Sequence, residues 1–427
     1  MSGYDKIRFM GYAIPTAPAD LQFIADSIIG TNLGNPDYKT DIDARIAVLV
    51  NGVETARAQL PKGEEGVINV FMAPEFFFHG TQGPYVYETE EANPINYLQI
   101  QLKKVFSRKR YANWVFICGT AMSSYMRDQE VVFSASSTRV RNEVVKSLTA
   151  NYLNSHGSIN SLIGGILNDF VSGSHHIPVC QVRDQSIVVS NIPIRLPGQE
   201  KTTRLMRTEK YHVSNEDLVL YDTSGKEVVT EQMADYPFID LSGGDAKESF
   251  FDMFAIFSQD VGASTLNYGI EICLDHKDNR LRANIDNEPK VPAGVTLQFI
   301  PSCGMKLQPN AIAAVRNGFV FLCDGLDNVN GGGIGQDVIN GVDCLYANYG
   351  FNNTYGAHTQ LAKVAKEAKG SNPYAPGSRD AFLYTLDASR VSRVPVSPKK
   401  VPFLSEYFAA GPGEIHFYGL DEPFQLD

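Results

Sequence analysis

Apolar runs of strand length recur along this chain, and the first three are separated by segments of helical period. IRFMGYAIP reads as a buried strand, and Asp41 to Leu60 follows with apolar residues at Ile42, Ile46, Leu49, Val50 and Val53. VINVFMAP (Val67 to Pro74) is a second strand. Ile95 to Phe106 places Ile95, Leu98, Leu102, Val105 and Phe106 on one helical face, and NWVFICGTAM is a third strand. The order strand, helix, strand, helix, strand is the signature of a layered α/β fold. QSIVVSNIPI, FFDMFAIF, STLNYGIEICLD, VTLQFIP, GFVFLCDG and AFLYTLDAS continue the core-like pattern.

Two polar stretches interrupt it. Arg127 to about His176 ends in the small and polar GSHH, and Asp222 to Gly244 carries TSGK and SGGD turns, so insertions are expected at about 127–180 and 222–247. After Val394, prolines at 395, 398, 402, 412 and 423 break regular elements. The reading is one domain over 1–393 and a C-terminal tail over 394–427.

With 427 residues, of which 43% are hydrophobic and 20% charged, the chain has ample material for a core, which excludes disorder. The net charge of −11 argues against nucleic acid or an anionic membrane surface as the main partner. MSGYDKIRF lacks a leader pattern, and no run approaches the ~20 apolar residues that span a bilayer, so a cytoplasmic protein is expected. Six cysteines without a CxxC pair make neither a disulfide framework nor a zinc site. His175-His176 is a poor metal motif because adjacent side chains diverge, and NGGGIG lacks the Lys-Ser/Thr of a phosphate loop. Neither cofactor nor metal is expected.

Three residues stand just past core strands, where α/β sheets present functional side chains. Cys273 follows YGIEI. Glu75 follows Pro74 and precedes Phe76, Phe77 and Phe78, aromatic surroundings that favour a neutral carboxyl suited to acid/base work. Lys210 follows the strand region after QSIVVSNIPI. Taken singly, a core cysteine, a loop glutamate and a surface lysine are ordinary. A Cys/His dyad of Cys273 with His212 or His276 is a further arrangement these residues allow.

The conjunction of APEFFF around Glu75, EKYH around Lys210 and GIEICLDHKDNR around Cys273 resembles the nitrilase, or carbon–nitrogen hydrolase, superfamily. VTLQFIPS, AIAAVRNGFVFLCDG and AFLYTLDAS are similar to its strand ending in Pro-Ser, its Arg-containing helix running into a strand, and its late strand. The resemblance covers most of residues 6 to 390. It implies a four-layer αββα sandwich, with Glu75 as general base, Lys210 as electrostatic stabiliser, Cys273 as nucleophile and the backbone N–H of Leu274 as oxyanion donor. Glu216 is the candidate for an auxiliary glutamate, with Asp217 as the alternative. The implied reaction is cleavage of a non-peptide C–N bond, amide or carbamoyl, through a thioester; Asp275 looks more like amidase-type members than true nitrilases. Nitrile hydrolysis, acyl transfer to an amine, and a silent nitrilase-like binding protein are the alternatives. Dimers through helix layers are common in such folds, and Pro309 to Arg316 together with the aromatic tail offers apolar surface for a homodimer.

The chain departs from the family pattern in places. Residues 75 and 210 are 135 apart and residues 210 and 273 are 63 apart, both longer than usual. Glu209 stands where an arginine commonly precedes the lysine, and Asn317-Gly318 stands where Glu-Asn is usual.

Overall fold

A computed structural model describes residues 3–24, 27–81, 83–87, 89–132, 174–196, 201–210, 220–221, 227–228, 231–232, 256–261, 264–282, 294–326, 334–339, 342–350, 356–366, 382–384 and 386–426. The elements that place the site are, in chain order, β1 (Lys6–Ala13), α1 (Tyr38–Gln59), β2 (Val67–Ala73), α2 (Pro94–Phe106), β3 (Trp114–Val132), β4 (Ser174–Arg195) and β5 (Thr202–Glu209). They are followed by β6 (Ile256–Asp260), β7 (Thr265–Ile270), α3 (Leu274–Lys277), β8 (Val295–Ser302), β9 (Ala314–Asp324), β10 (Val342–Tyr349), β11 (Ala357–Lys366), β12 (Val391–Pro395) and β13 (Glu414–Tyr418).

Two sheet layers form. In the first, β1, β2 and β3 run parallel, β4 returns antiparallel to β3, and β5 is antiparallel to β4. In the second, β7, β8 and β9 are parallel, β6 is antiparallel to β7, and β11 and β10 continue antiparallel beyond β9. The layers join where Arg195 at the end of β4 pairs with Ser258 of β6. Strand periodicity sorts the side chains: Met10 and Tyr12 of β1 face the helices, whereas Ile7 and Phe9 face the other sheet. The Phe9 ring lies 5.4 Å from Phe319 and 5.3 Å from Phe321, so aromatic packing fills the space between the layers.

Among the described residues, both long helices cover the first sheet. Asp37 caps α1 by accepting from Thr40 N at 3.0 Å, and Asn93 caps α2, which has Pro94 in its first turn. Ile42, Ile46, Leu49 and Val53 of α1 and Ile95, Leu98, Leu102 and Phe106 of α2 pack on Phe71 and Phe116. The fold is therefore α/β, and among the described residues its long helices lie on one outer face. The fourth layer of the expected sandwich is not seen among the described residues. The segment AIAAVR (residues 311–316), expected as a helix, instead leaves a short 3-10 turn (Pro309–Ala311) and runs into β9, with Asn317 at φ 65 interrupting the strand. The outer face of the second sheet is covered instead by turn residues such as Met305, Leu307 and Ile312.

The C-terminal segment pairs into the sheet. β13 pairs antiparallel with β1, from Phe9 opposite Tyr418 to Ala13 opposite Glu414, and β12 pairs with β13. Leu404, Tyr407 and Phe408 are buried, with the Phe408 ring 5.0 Å from Phe77. These three side chains are used inside the domain, and main-chain pairing carries the segment across its prolines. The flanks of the first insertion extend β3 and β4 as one antiparallel ribbon, pairing Met126 with Cys180 and Val132 with Ser174. Residues 133–173 and most of 222–247 lie outside the described residues. Among the described residues, no helix is long and apolar enough to cross a membrane.

Candidate active site

The carboxyl ends of β1, β2, β8 and β9 meet in one hydrogen-bonded knot. Thr16 Oγ1 donates to Glu75 O at 2.6 Å, Thr16 N to Gly325 O at 3.1 Å, Glu75 N to Ser302 O at 3.3 Å and Gly325 N to Ser302 O at 2.9 Å. Gly325 allows this approach, because a Cβ there would lie 2.0 Å from Thr16 Oγ1.

Glu75 sits where the chain leaves β2. Phe76 turns at φ 57; its amide donates to Thr120 Oγ1 at 2.9 Å, and Phe78 N donates to Thr120 O at 3.0 Å. Thr120 follows an irregularity in β3 at which Gly119 has φ 75, and a Cβ on Gly119 would be 2.4 Å from Pro74 O. Only glycine meets both requirements at low cost.

Lys210 is the first residue past β5, with its amide on Asp184 O at 2.9 Å. Its Nζ lies 2.8 Å from Glu75 Oε1, and both side chains are 0% exposed. The Phe76 ring centroid is 5.6 Å from the same nitrogen, a cation–π distance. Desolvating two such charges costs several kcal/mol each, and only close pairing offsets it.

Cys273 follows β7 by a continuation of its parallel pairing: Glu271 N donates to Phe299 O and Cys273 N to Pro301 O, each at 3.1 Å. There the backbone turns to φ 45, ψ −103, a conformation that costs a non-glycine residue about 1–3 kcal/mol. The turn is fixed on its far side, where Asp275 N reaches Ile272 O at 3.0 Å and His276 N reaches Cys273 O at 2.9 Å. The thiol lies 4.0 Å from Cys303 O. Cys273 is 7% exposed, so it is buried without being sealed.

Backbone bonds thus set Glu75 and Cys273 at the end of the same strand, β8, and Lys210 is paired with Glu75. The adjacent carbonyls of Pro301 and Ser302 hold the amides of Cys273 and Glu75, and Glu75 holds Lys210. Arg280 closes the circuit by bonding Asp275 Oδ2 at 2.7 Å and Glu209 O at 3.2 Å. Glu209, in the position where an arginine was expected, accepts from Gln185 Nε2 at 2.9 Å and lies 3.7 Å from Arg183. The cation beside the lysine segment is supplied by Arg183 and Arg280 instead. Leu274 opens the α3 turn directly after Cys273. Glu216, Asp217 and His212 lie outside the described residues.

His276 is spent on structure. Its Nε2 accepts from Gln308 N at 2.9 Å, which leaves Nδ1 as the donor to Glu271 Oε1 at 2.7 Å. The ring has no lone pair left for Cys273, so the Cys273/His276 dyad is ruled out. Glu271 also accepts from Gln298 Nε2 and from Leu281 N at 3.2 Å. Sequence reasoning missed this support, although a carboxylate inside the apolar run YGIEIC was the signal. Thr16, Ser302 and Asp324 were missed as well, and only Asp324, at the end of FVFLCD, had a comparable one.

Burial pushes the thiols of Cys118 and Cys323 well up, with the neighbouring Asp324 adding to the rise at Cys323. Burial disfavours the thiolate at both, and Cys303, partly exposed, is the more accessible neighbour of Cys273. No family model matches the chain, and no curated protein does. Among solved structures the chain is similar to an amidase from Nesterenkonia sp., at 10% identity across 84% of this chain and 91% of that one, with a TM-score of 0.30. A likeness at that level carries no argument for the chemistry.

Proposed function

We propose that the chain is a thiol hydrolase that cleaves a non-peptide C–N bond, amide or carbamoyl, through Glu75, Lys210 and Cys273. The observation that carries this reading is the fully buried Lys210–Glu75 pair at 2.8 Å, tied through Pro301 and Ser302 to a cysteine on a strained turn. Glu75 takes the proton of the Cys273 thiol, and the thiolate attacks the carbonyl carbon. The Lys210 ammonium and the Leu274 N–H stabilise the oxyanion. As the C–N bond breaks, Glu75 returns its proton to the departing amine, leaving a thioester on Cys273. Water, deprotonated by Glu75, then attacks the thioester and the free acid leaves with regeneration of the thiol. The substrate is a small molecule, and the steps use side chains and backbone alone.

The test is release of ammonia or amine from a panel of amides, carbamoyl compounds and nitriles, with intact-mass detection of an acyl adduct on Cys273. Turnover lost in Cys273→Ala and Glu75→Gln supports the proposal. Absence of both product and adduct across the panel overturns it in favour of a binding protein. Acid product from nitriles, or an amide product formed with added amine, would redirect the reading to nitrile hydrolysis or acyl transfer.

A further inference from the structure

Asp324 ends β9 with its side chain 0% exposed. Its carboxylate reaches across to the end of β8. Oδ2 accepts from Ser302 Oγ at 2.7 Å, Gly304 N at 2.8 Å and Met305 N at 2.7 Å, while Oδ1 accepts from Leu326 N at 2.8 Å. One carboxylate therefore shapes the whole turn from Ser302 to Met305. That turn is in contact with both ends of the chemistry: Ser302 O takes the amide of Glu75, the preceding Pro301 O takes the amide of Cys273, and Cys303 O faces the Cys273 thiol.

We infer that Asp324 is the positioning residue for the site, fixing Glu75 relative to Cys273 by holding the turn that bonds to both. The inference rests on the proposed roles of Glu75 and Cys273. Asp324 touches neither side chain, so its effect passes through Ser302 and Cys303. Burial raises its carboxyl to about 7 against the four donors, a sign that the turn is kept at an electrostatic cost. A core residue needed for packing alone would be apolar, since a buried carboxylate contributes to stability only while all its donors stay in place. His358 lies 3.5 Å from Oδ1, and burial holds its ring neutral, down to about 3.

The experiment is the rate of iodoacetamide alkylation at Cys273 as a function of pH, read by peptide mapping, for the parent chain, Glu75→Gln, Asp324→Asn and Ser302→Ala. In Asp324→Asn the amide nitrogen must face at least one N–H donor, which loosens the turn. The Cys273 rate at neutral pH is expected to fall about tenfold or more, given that displacements of about 1 Å cost up to ~100-fold. Its pH profile should depart from the parent's in the same direction as that of Glu75→Gln. Ser302→Ala removes one donor and should give a smaller change of the same sign. If Glu75→Gln leaves the profile unchanged, the proposed roles of Glu75 and Cys273 are wrong. If Glu75→Gln moves it while Asp324→Asn and Ser302→Ala, both folded, match the parent, the positioning inference is wrong and the proposed chemistry stands. Should Asp324→Asn fail to fold, Ser302→Ala decides alone, and an unchanged profile there overturns the inference.

Discussion

Replacing Lys210 by Met keeps the volume of the side chain and removes its charge, which leaves the Glu75 carboxylate buried at zero exposure. Breaking a buried pair in this way costs about 3–5 kcal/mol, because the remaining charge has lost the partner that offset its desolvation. Glu75 can relieve part of that cost by taking up a proton, so Lys210→Met should be less destabilising at pH 5 than at pH 8. Glu75→Gln strands the ammonium instead and should cost a similar amount. The double variant Lys210→Met/Glu75→Gln carries no charge there and should be more stable than the sum of the single effects by several kcal/mol. Urea unfolding at both pH values provides the cycle. In thermal scans of a chain of 427 residues, roughly 2 cal/mol/K of unfolding entropy per residue makes 1 kcal/mol worth about 1 °C, so the denaturant assay is the more sensitive. Single variants that each cost under ~1 kcal/mol and add independently would refute the argument, since that is the behaviour of a solvated surface pair.

Gly119→Ala should destabilise the chain by more than the ~1 kcal/mol typical of a point substitution and should slow Cys273 alkylation, because the new Cβ meets Pro74 O at 2.4 Å beside Glu75. Peptide mapping after limiting iodoacetamide is expected to show Cys273 labelled first, Cys303 second, and Cys118 and Cys323 unlabelled. Labelling of Cys303 with Cys273 untouched would remove the nucleophile. His79 and His358 are held down to about 3, by burial in each case. Their folded values lie below the unfolded value near 6.5, so stability is full above about pH 6.5 and is lost as pH falls toward 3, by up to ~1.4 kcal/mol per pH unit per histidine. Asp324, raised to about 7, works in the opposite direction between about pH 4 and 7. His358→Gln should therefore flatten the acid limb of a urea-midpoint profile, and an unchanged limb would show that His358 is not held neutral. Light scattering tests the expected homodimer; with Tyr407 and Phe408 turned inward, deletion of residues 394–427 should unfold the chain at β1 rather than release a partner.

The strands around the site were legible because parallel strands buried on both faces read as unbroken apolar runs, as VINVFMA and GFVFLC do. Glu75 and Cys273 each stand just past such a run, whereas Lys210 follows the polar strand TTRLMRTE and has the weakest local signal of the three candidates. What joins the three was not legible. The bonds from Ser302, Thr16 and Arg280 link residues far apart in the chain through single backbone groups, and a carbonyl acceptor leaves no mark in a sequence. The zero exposure of the Lys210–Glu75 pair was hidden for the same reason, and with it the stability cost of altering either residue. The C-terminal strands are hard to see in the sequence because five prolines stand among them, and only the alternation in EIHFY marks them, with Ile415 and Phe417 facing the helices and His416 and Tyr418 facing inward toward Thr359. The helix expected over AIAAVR failed because three alanines and a valine satisfy a short strand edge as well as a helical face.

The seat of β13 beside β1 has a consequence during synthesis. Phe9 and Tyr418 are partners across the sheet although more than 400 residues separate them, so the flank of β1 has no strand to pair with until residues 414–418 have been made. At translation rates of about 5–20 residues per second, that flank stays open for tens of seconds or longer while β2 already occupies its other side. An open, apolar strand edge of this kind is what chaperones bind and what drives sheet-to-sheet aggregation. Closure of the molecule is therefore a late, long-range event, and the yield of folded protein is expected to depend on how that edge is protected until its partner arrives.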